Sequence, residues 1–282
     1  DYDVLVAFHL DHGADLTIAT VRVAPDEASR FGMLEADEAY KVTGFEEKPT
    51  HPRGNLGSMG IYAFNAAVLD DILTADHTHT GSRHDFGGDI IPQMIKSRQV
   101  YAFPYHGYWV DVGTIQAYWQ AHMDLLVDEP WLDLLDREWI IHTRSEERPP
   151  VNVRSGATVA HSLITDGCII EGTVEHSVLS PGVTVLPGAI VRHSIVMTDA
   201  VIEEGAIVDH AILDKRVRVG AGAYIGWGDE APNGPHGGIT VAGKNTSIPA
   251  ETRVGRDCVI ATDLGADDFE VQQISDGTMV GH

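Results

Sequence analysis

After Pro150 the sequence takes on a period that neither an α-helix nor an ordinary β-strand satisfies. Apolar residues recur about every five or six positions: Val153, Val159, Ile164, Ile170, Leu179, Val185, Val191, Val196, Ile202, Val208, Leu213, Val219 and Ile225. A helix repeats at 3.6 residues and a half-buried strand at 2. A repeat near six fits one short face of a triangular coil, which turns a corner and stacks its apolar residue on the next coil. Corner chemistry agrees: Pro181-Gly182, Pro187-Gly188, Glu204-Gly205 and Val219-Gly220 punctuate the repeat. A Gly-rich insertion at 226–238 interrupts the pattern, and 239–260 resumes it with Ile248, Val254-Gly255 and Val259-Ile260 in phase. Residues 151–282 are therefore expected to form a left-handed parallel β-helix of hexapeptide-type repeats. Its open end coils favour self-association, because unpaired strand edges must be capped or buried.

Residues 1–127 read differently, as a mixed α/β domain. Val4 to Leu10 has helical spacing, whereas Leu16 to Val21, Val42 to Phe45 and Met59 to Phe64 are β-type runs. Ala66 to Leu73 and Ile90 to Ile95 read as helices, with Asp89 a candidate cap for the second and Pro92 in its first turn. Strands alternating with helices imply a largely parallel, Rossmann-like sheet with binding loops at strand ends. Thr114 to Val127 is helical again and runs into a Pro-, Glu- and Arg-rich connector at 128–150.

With a net charge of -23, the chain is a poor partner for nucleic acid, whose backbone is bound by clustered Lys and Arg. No apolar run is long enough for a membrane span, and no secretory signal pattern occurs. Two distant cysteines, Cys168 and Cys258, make no disulfide framework, and a reducing cytoplasm is the simple reading. Of fifteen histidines only His77, His79 and His84 are grouped, in a polar stretch without metal-ligand spacing, which reads as a solvated loop.

Chemistry concentrates in a few strings. Gly44-Phe45-Glu46-Glu47-Lys48-Pro49 ends a β-run on an acid and a cation, before a proline that turns the chain away from helix. Such a pair suits a sugar phosphate, the carboxylate accepting from hydroxyls and the ammonium neutralising phosphate; it also suits a plain surface ion pair. Phe31-Gly32-Met33 places a glycine where backbone must approach something closely, and Ser58 opens an apolar strand with a hydroxyl. Downstream come His84-Asp85-Phe86-Gly87-Gly88-Asp89 and Gly107-Tyr108-Trp109-Val110-Asp111-Val112-Gly113-Thr114, the latter read as a strand ending in Asp111. Asp111 could hold a divalent metal beside phosphates, or cap the helix that begins near Thr114.

In their order these strings resemble the nucleotidyltransferases that join a nucleoside triphosphate to a sugar 1-phosphate. With Leu134 to Thr143 and Pro149-Pro150 added, the set looks most like the ADP-glucose-forming branch, the glucose-1-phosphate adenylyltransferases of glycogen biosynthesis. The resemblance implies glucose 1-phosphate contacts at Gly32, Glu47, Lys48, Ser58, Asp85, Phe86 and Trp109. It implies a metal-binding carboxylate at Asp111 for Mg2+, with Lys48 and Asp111 as the catalytic pair. It further implies ATP as second substrate, a cytoplasmic homotetramer, and allosteric control, for which Lys215 is a candidate contact and a solvated corner lysine the alternative. A transferase for another sugar phosphate, a noncatalytic regulatory subunit and a β-helix acyltransferase are the competing readings; no corner histidine stands out as an acyl-transfer base.

One family feature is absent from these residues. The Gly-rich, Arg- and Lys-containing loop that wraps nucleotide phosphates does not occur, and Tyr2-Asp3 resembles the segment just after the family's first metal-binding Asp. The expectation is that the 282-residue chain alone does not turn over ATP and glucose 1-phosphate. A pyrophosphate-release assay on the purified chain should stay at background, and normal turnover would refute that expectation.

Overall fold

The computed structural model describes residues 2–134, 136–143, 146–229 and 233–281. Leu135 in the connector string and positions 230–232 of the Gly-rich insertion thus lie outside the described residues, as do 144 and 145 of the connector. The chain forms two compact units, Asp1–Trp109 and Val110–His282. That division precedes the connector expected at 128, because the helix after Trp109 packs on the β-helix.

The first unit holds α1 (Tyr2–Asp11), β1 (Leu16–Arg22), β2 (Gly32–Ala36), β3 (Val42–Glu47), β4 (Leu56–Phe64), α2 (Ala66–His77), α3 (Ile91–Ser97) and β5 (Val100–Pro104). Its sheet has the order β3-β2-β4-β1-β5. Only β1 and β5 run parallel; β1/β4, β2/β3 and β2/β4 are antiparallel, which corrects the expectation of a largely parallel sheet. β4 inserts between β2 and β1 and runs antiparallel to both, and the short turn from β2 to β3 closes an antiparallel hairpin, which leaves β1 and β5 as the parallel neighbours. Leu16, Ile18, Leu34, Val42, Val68, Ile91, Met94 and Val100 form the core beneath the sheet.

Two further expectations are corrected. Asp85, and not Asp89, caps the turn of π-helix at Phe86–Ile90 that leads into α3; its Oδ1 accepts the Gly88 N–H at 2.5 Å. Asp89 is engaged instead by Arg83, whose backbone N–H donates to Oδ2 at 3.2 Å. Residues 107–111 form no strand, because among the described residues no neighbouring strand pairs with them.

In the second unit, α4 (Ile115–Met123) precedes a three-sided parallel β-solenoid. Among the described residues its faces are one six-stranded and two seven-stranded sheets, every pairing parallel and in register from coil to coil. The six-residue period is the sequence image of this stacking. Ile170, Leu179, Val185, Val191, Val196, Ile202, Val208, Leu213, Val219 and Ile225 are all fully buried in one core, joined by Val174, which the periodic reading had passed over. At the open first coil Val153 and Val159 remain largely exposed.

One corner is built by a repeated His-Ser pair. His161, His176, His193 and His210 adopt left-handed φ values of 43°, 43°, 47° and 52°, a region non-glycine residues enter only where the surroundings impose it. The following serines explain the imposition. The Ser162, Ser177 and Ser194 hydroxyls donate to the carbonyl two residues back and accept the N–H of Ser177, Ser194 and Ala211 in the next coil at 3.1 Å. Outside this ladder the His161, His176 and His193 rings stack at 4.9 and 5.2 Å. Burial lowers the His193 pKa, and the neighbouring His176 lowers it further.

The third face, which includes strands Ile195–Val196, Ala211–Leu213 and Thr240–Ala242, is apolar on both sides. Its inward residues Val196, Leu213 and Ala242 join the core, while Ile195 and Ile212 on the outside are also buried. A solvated face would alternate apolar with polar, so the outer stripe signals a covering element. That element is α4: Ile115, Tyr118, Trp119 and Met123 pack on Ile195, Ile212 and Ile239.

Because each inward residue closes its own layer, truncating one leaves a void that its neighbours cannot fill. Leu213→Ala should destabilise the second unit by about 2–5 kcal/mol, measured by denaturant unfolding, whereas Arg218→Ala on an outward position should cost under about 1 kcal/mol.

Candidate functional site

Gly32, Glu47, Lys48 and Asp85 of the first unit come together at one end of its sheet. In the β2/β3 ladder Gly32 lies opposite Glu47. A side chain at Gly32 would collide with the Phe45 ring and the Glu47 carboxylate, so the absence of a Cβ there makes room for that carboxylate. Gly87 approaches from the other side: a Cβ on it would overlap Glu47 Oε2 and lie 3.5 Å from Asp85 Oδ1. Glu47 therefore sits in a cradle made by two glycines from separate segments, with Asp85 beside it.

Lys48 follows directly and carries a left-handed φ of 48°. Pro49 disfavours right-handed helical backbone at Lys48, and the Lys48 N–H is fixed on the Phe31 carbonyl at 3.0 Å, extending the ladder by one bond. A non-glycine residue in this region costs about 1 kcal/mol, a strain concentrated at functional sites. The Lys48 ammonium is exposed, and its nearest acid is Glu47 Oε1 at 3.9 Å, too long and too solvated a pair to stabilise the fold measurably. It is a cation held at a strand end with donors to spare.

Aromatic walls flank the pair. Phe31 packs against Trp109 with ring centroids 5.9 Å apart, and Arg30 lies over the Phe31 ring at 5.6 Å. Gly57 faces Phe31 and Val23, so the start of β4 runs past the same wall; Ser58 follows, its Oγ accepting the Gly60 N–H at 3.2 Å. Phe86 differs from the others. It stacks on Tyr62 at 5.8 Å and contacts Phe64 at 5.9 Å, so its ring belongs to the core side of the sheet. Residue-type reasoning passed over Gly87; the signal was the Gly-Gly pair after Asp85, whose first member makes room for a carboxylate distant in sequence.

Asp111 lies in the second unit, half-buried, in the segment that caps α4. Its Oδ1 accepts the Gly113 N–H at 3.1 Å, and the helix cap itself is Thr114, whose hydroxyl accepts the Ala117 N–H at 3.1 Å. The cap role entertained for Asp111 thus belongs to Thr114. Mg2+ is commonly held by one or two carboxylates with substrate phosphates and water completing the shell. A single carboxylate at Asp111 fits such an ion and would not suit a wholly protein-held metal. Among the described residues no group of three or more His, Cys, Asp or Glu is placed to hold a metal by itself.

Other sequence candidates fall elsewhere. His84 pairs with the buried Asp76 through Nδ1 at 2.7 Å, so it is a structural partner of α2, eight residues beyond Asp76. Lys215 is exposed at the turn after Ala211–Leu213, its N–H donating to Asp214 Oδ1. Among the described residues no helix is long and apolar enough to cross a membrane.

Comparison with known proteins agrees with this organisation. A family model for nucleotidyl transferases matches residues 1–127, and one for GlmU-like C-terminal hexapeptide repeats matches 151–234. A glucose-1-phosphate adenylyltransferase of Thermomicrobium roseum is 49% identical over 99% of this chain and 67% of the relative. Those of Pseudothermotoga lettingae and Acetivibrio thermocellus are 44% and 40% identical, over 100% and 95% of this chain and 69% and 65% of their own lengths. The chain thus spans about two thirds of each of these relatives.

The cradle makes a direct test possible. Gly87→Ala should displace the Glu47 carboxylate and weaken glucose 1-phosphate binding by about tenfold, or 1.4 kcal/mol, with the circular dichroism spectrum unchanged. Unchanged affinity would show that Glu47 does not touch the sugar.

Proposed function

The chain belongs to the glucose-1-phosphate adenylyltransferase family, and from that premise we propose that it carries the glucose 1-phosphate site of an enzyme converting ATP and glucose 1-phosphate to ADP-glucose and pyrophosphate. The observation that carries the reading is the convergence of Gly32, Glu47, Lys48, Asp85 and Gly87 at one end of the sheet, in a chain whose relatives bear that name.

The chemistry is an in-line displacement: the sugar phosphate oxygen attacks the α-phosphorus of ATP, and pyrophosphate leaves. Little covalent work falls to the protein, so positioning and charge compensation dominate. Lys48, as a mobile ammonium on a fixed backbone, holds and partly neutralises the glucose 1-phosphate phosphate, keeping its oxygen aimed at the attacked phosphorus. Glu47 accepts from a sugar hydroxyl and fixes the ring, helped by Ser58 and Asp85. Trp109, packed against Phe31, supplies an apolar wall that limits water at the sugar. Asp111 would hold a divalent ion, Mg2+ in this reading, which would offset charge on the phosphates. The enzyme is read as a cytoplasmic homotetramer associating through its solenoid, where Val153 and Val159 are exposed apolar residues. No observation favours a different sugar phosphate, an acyl transfer or a purely regulatory role.

Calorimetric titration of the chain tests the reading. Glucose 1-phosphate should bind, mannose 1-phosphate should bind at least about tenfold more weakly, and Lys48→Ala should cost about 1.5–3 kcal/mol, the contribution of a charge-assisted hydrogen bond. Equal affinity for the two sugars, or no effect of Lys48→Ala, contradicts it.

A further inference from the structure

The helix that follows Asp111 is fastened to the solenoid at one point more strongly than packing alone requires. The Trp119 indole N–H donates to the His193 backbone carbonyl at 2.8 Å, and its ring lies against His210 with centroids 4.5 Å apart. Both histidines belong to the left-handed corner column, whose backbone is locked by the serine ladder from one coil to the next. The acceptor carbonyl is therefore among the most rigid groups of the unit. On either side of Trp119, Ile115, Tyr118 and Met123 cover Ile195, Ile212 and Ile239, which closes the face and fixes the rotation of α4 about its axis.

Asp111 lies in the segment that leads into the first turn of α4. Thr114 caps the helix, Tyr118 N–H bonds back to the Thr114 carbonyl at 2.9 Å, and Asp111 is tied to the same cap through Gly113. Between Trp119 and the cap lie little more than one helical turn and no glycine or proline, and from the cap the Gly113 N–H reaches Asp111 Oδ1. The solenoid thus does more than carry the chain: its corner column sets the place of a carboxylate distant from it in sequence.

We propose that Trp119 is a positioning residue for the nucleotidyl transfer, clamping α4 to the His193–His210 corner so that the Asp111 carboxylate is held where the divalent ion is bound. The proposal rests on the assignment of Asp111 above. It needs no contact between Trp119 and substrate, and it separates the roles of the α4 residues: Ile115 and Met123 supply burial, whereas Trp119 supplies a directional bond to the solenoid.

The test compares wild type with Trp119→Phe, Trp119→Ala and Asp111→Asn in the full-length protein. Hydrogen exchange of amides 112–123, Mn2+ affinity by electron paramagnetic resonance, and kcat and KM for ADP-glucose formation are read together. Trp119→Phe keeps most of the ring packing and removes the donor; it should speed exchange in 112–123 and weaken Mn2+ binding by about three- to tenfold, the worth of one hydrogen bond. Trp119→Ala should lower kcat by at least about tenfold, as expected when a reacting group is misplaced, with KM for glucose 1-phosphate changed less than about twofold. Faster exchange with unaltered Mn2+ affinity and kcat overturns the proposal, as does unaltered exchange in both Trp119 variants. Unaltered Mn2+ binding in Asp111→Asn removes the metal assignment, and the proposal with it. Absence of ADP-glucose formation by the wild type is a separate result that strikes the proposed function alone, since exchange and Mn2+ affinity are measured without turnover.

Discussion

The structure of the larger unit depends on one constraint: each solenoid coil must place an apolar residue directly over that of the coil before. Parallel, in-register pairing delivers Thr173 over Thr158 and Ile190 over Thr173, so Val159, Val174 and Val191 stack without offset. A slip of one residue would turn every inward side chain outward, which makes the register nearly absolute. Corners pay for this regularity with left-handed backbone at non-glycine residues, and the His-Ser repeat shows how: hydroxyls bridge consecutive coils and fix the turn. Once the corner is rigid it can serve as an anchor, and α4 uses it as one.

Most of this unit was legible in the sequence, because its period follows from geometry alone. The periodic residues named from 170 to 225 all point into the core. What periodicity did not disclose was the outward stripe of Ile195 and Ile212, since a six-residue reading asks only which residue faces in. The histidine column was seen as corner positions but not as a stack, because spacings of fifteen and seventeen residues mean contact only after the coil is built. In the first unit the existence of β1, β3, β4 and α2 followed from local pattern, whereas strand direction did not. Direction is set by where β4 inserts, between β2 and β1 and antiparallel to both, a property of the whole sheet.

The site shows a similar split. Lys48 and Glu47 stand out as residue types at a strand end, and their family resemblance gives them roles. Their geometry comes from elsewhere: Gly32 opposite in the ladder, Gly87 from the turn capped by Asp85, and the Phe31 carbonyl, which fixes the Lys48 N–H. In the proposed reading an acidic protein of net charge -23 would bind an anion by such means, with one cation freed from strong pairing and placed by its backbone. Long-range attraction works against the ligand here, so local placement must supply the affinity.

The central claim is that the glycine-lined end of the first unit's sheet receives glucose 1-phosphate. A crystal structure of the chain soaked with that ligand tests it most directly. The account predicts the phosphate within hydrogen-bond distance of Lys48 Nζ and a sugar hydroxyl on the Glu47 carboxylate. A sugar phosphate bound at full occupancy anywhere else, with Glu47 and Lys48 untouched, would contradict it.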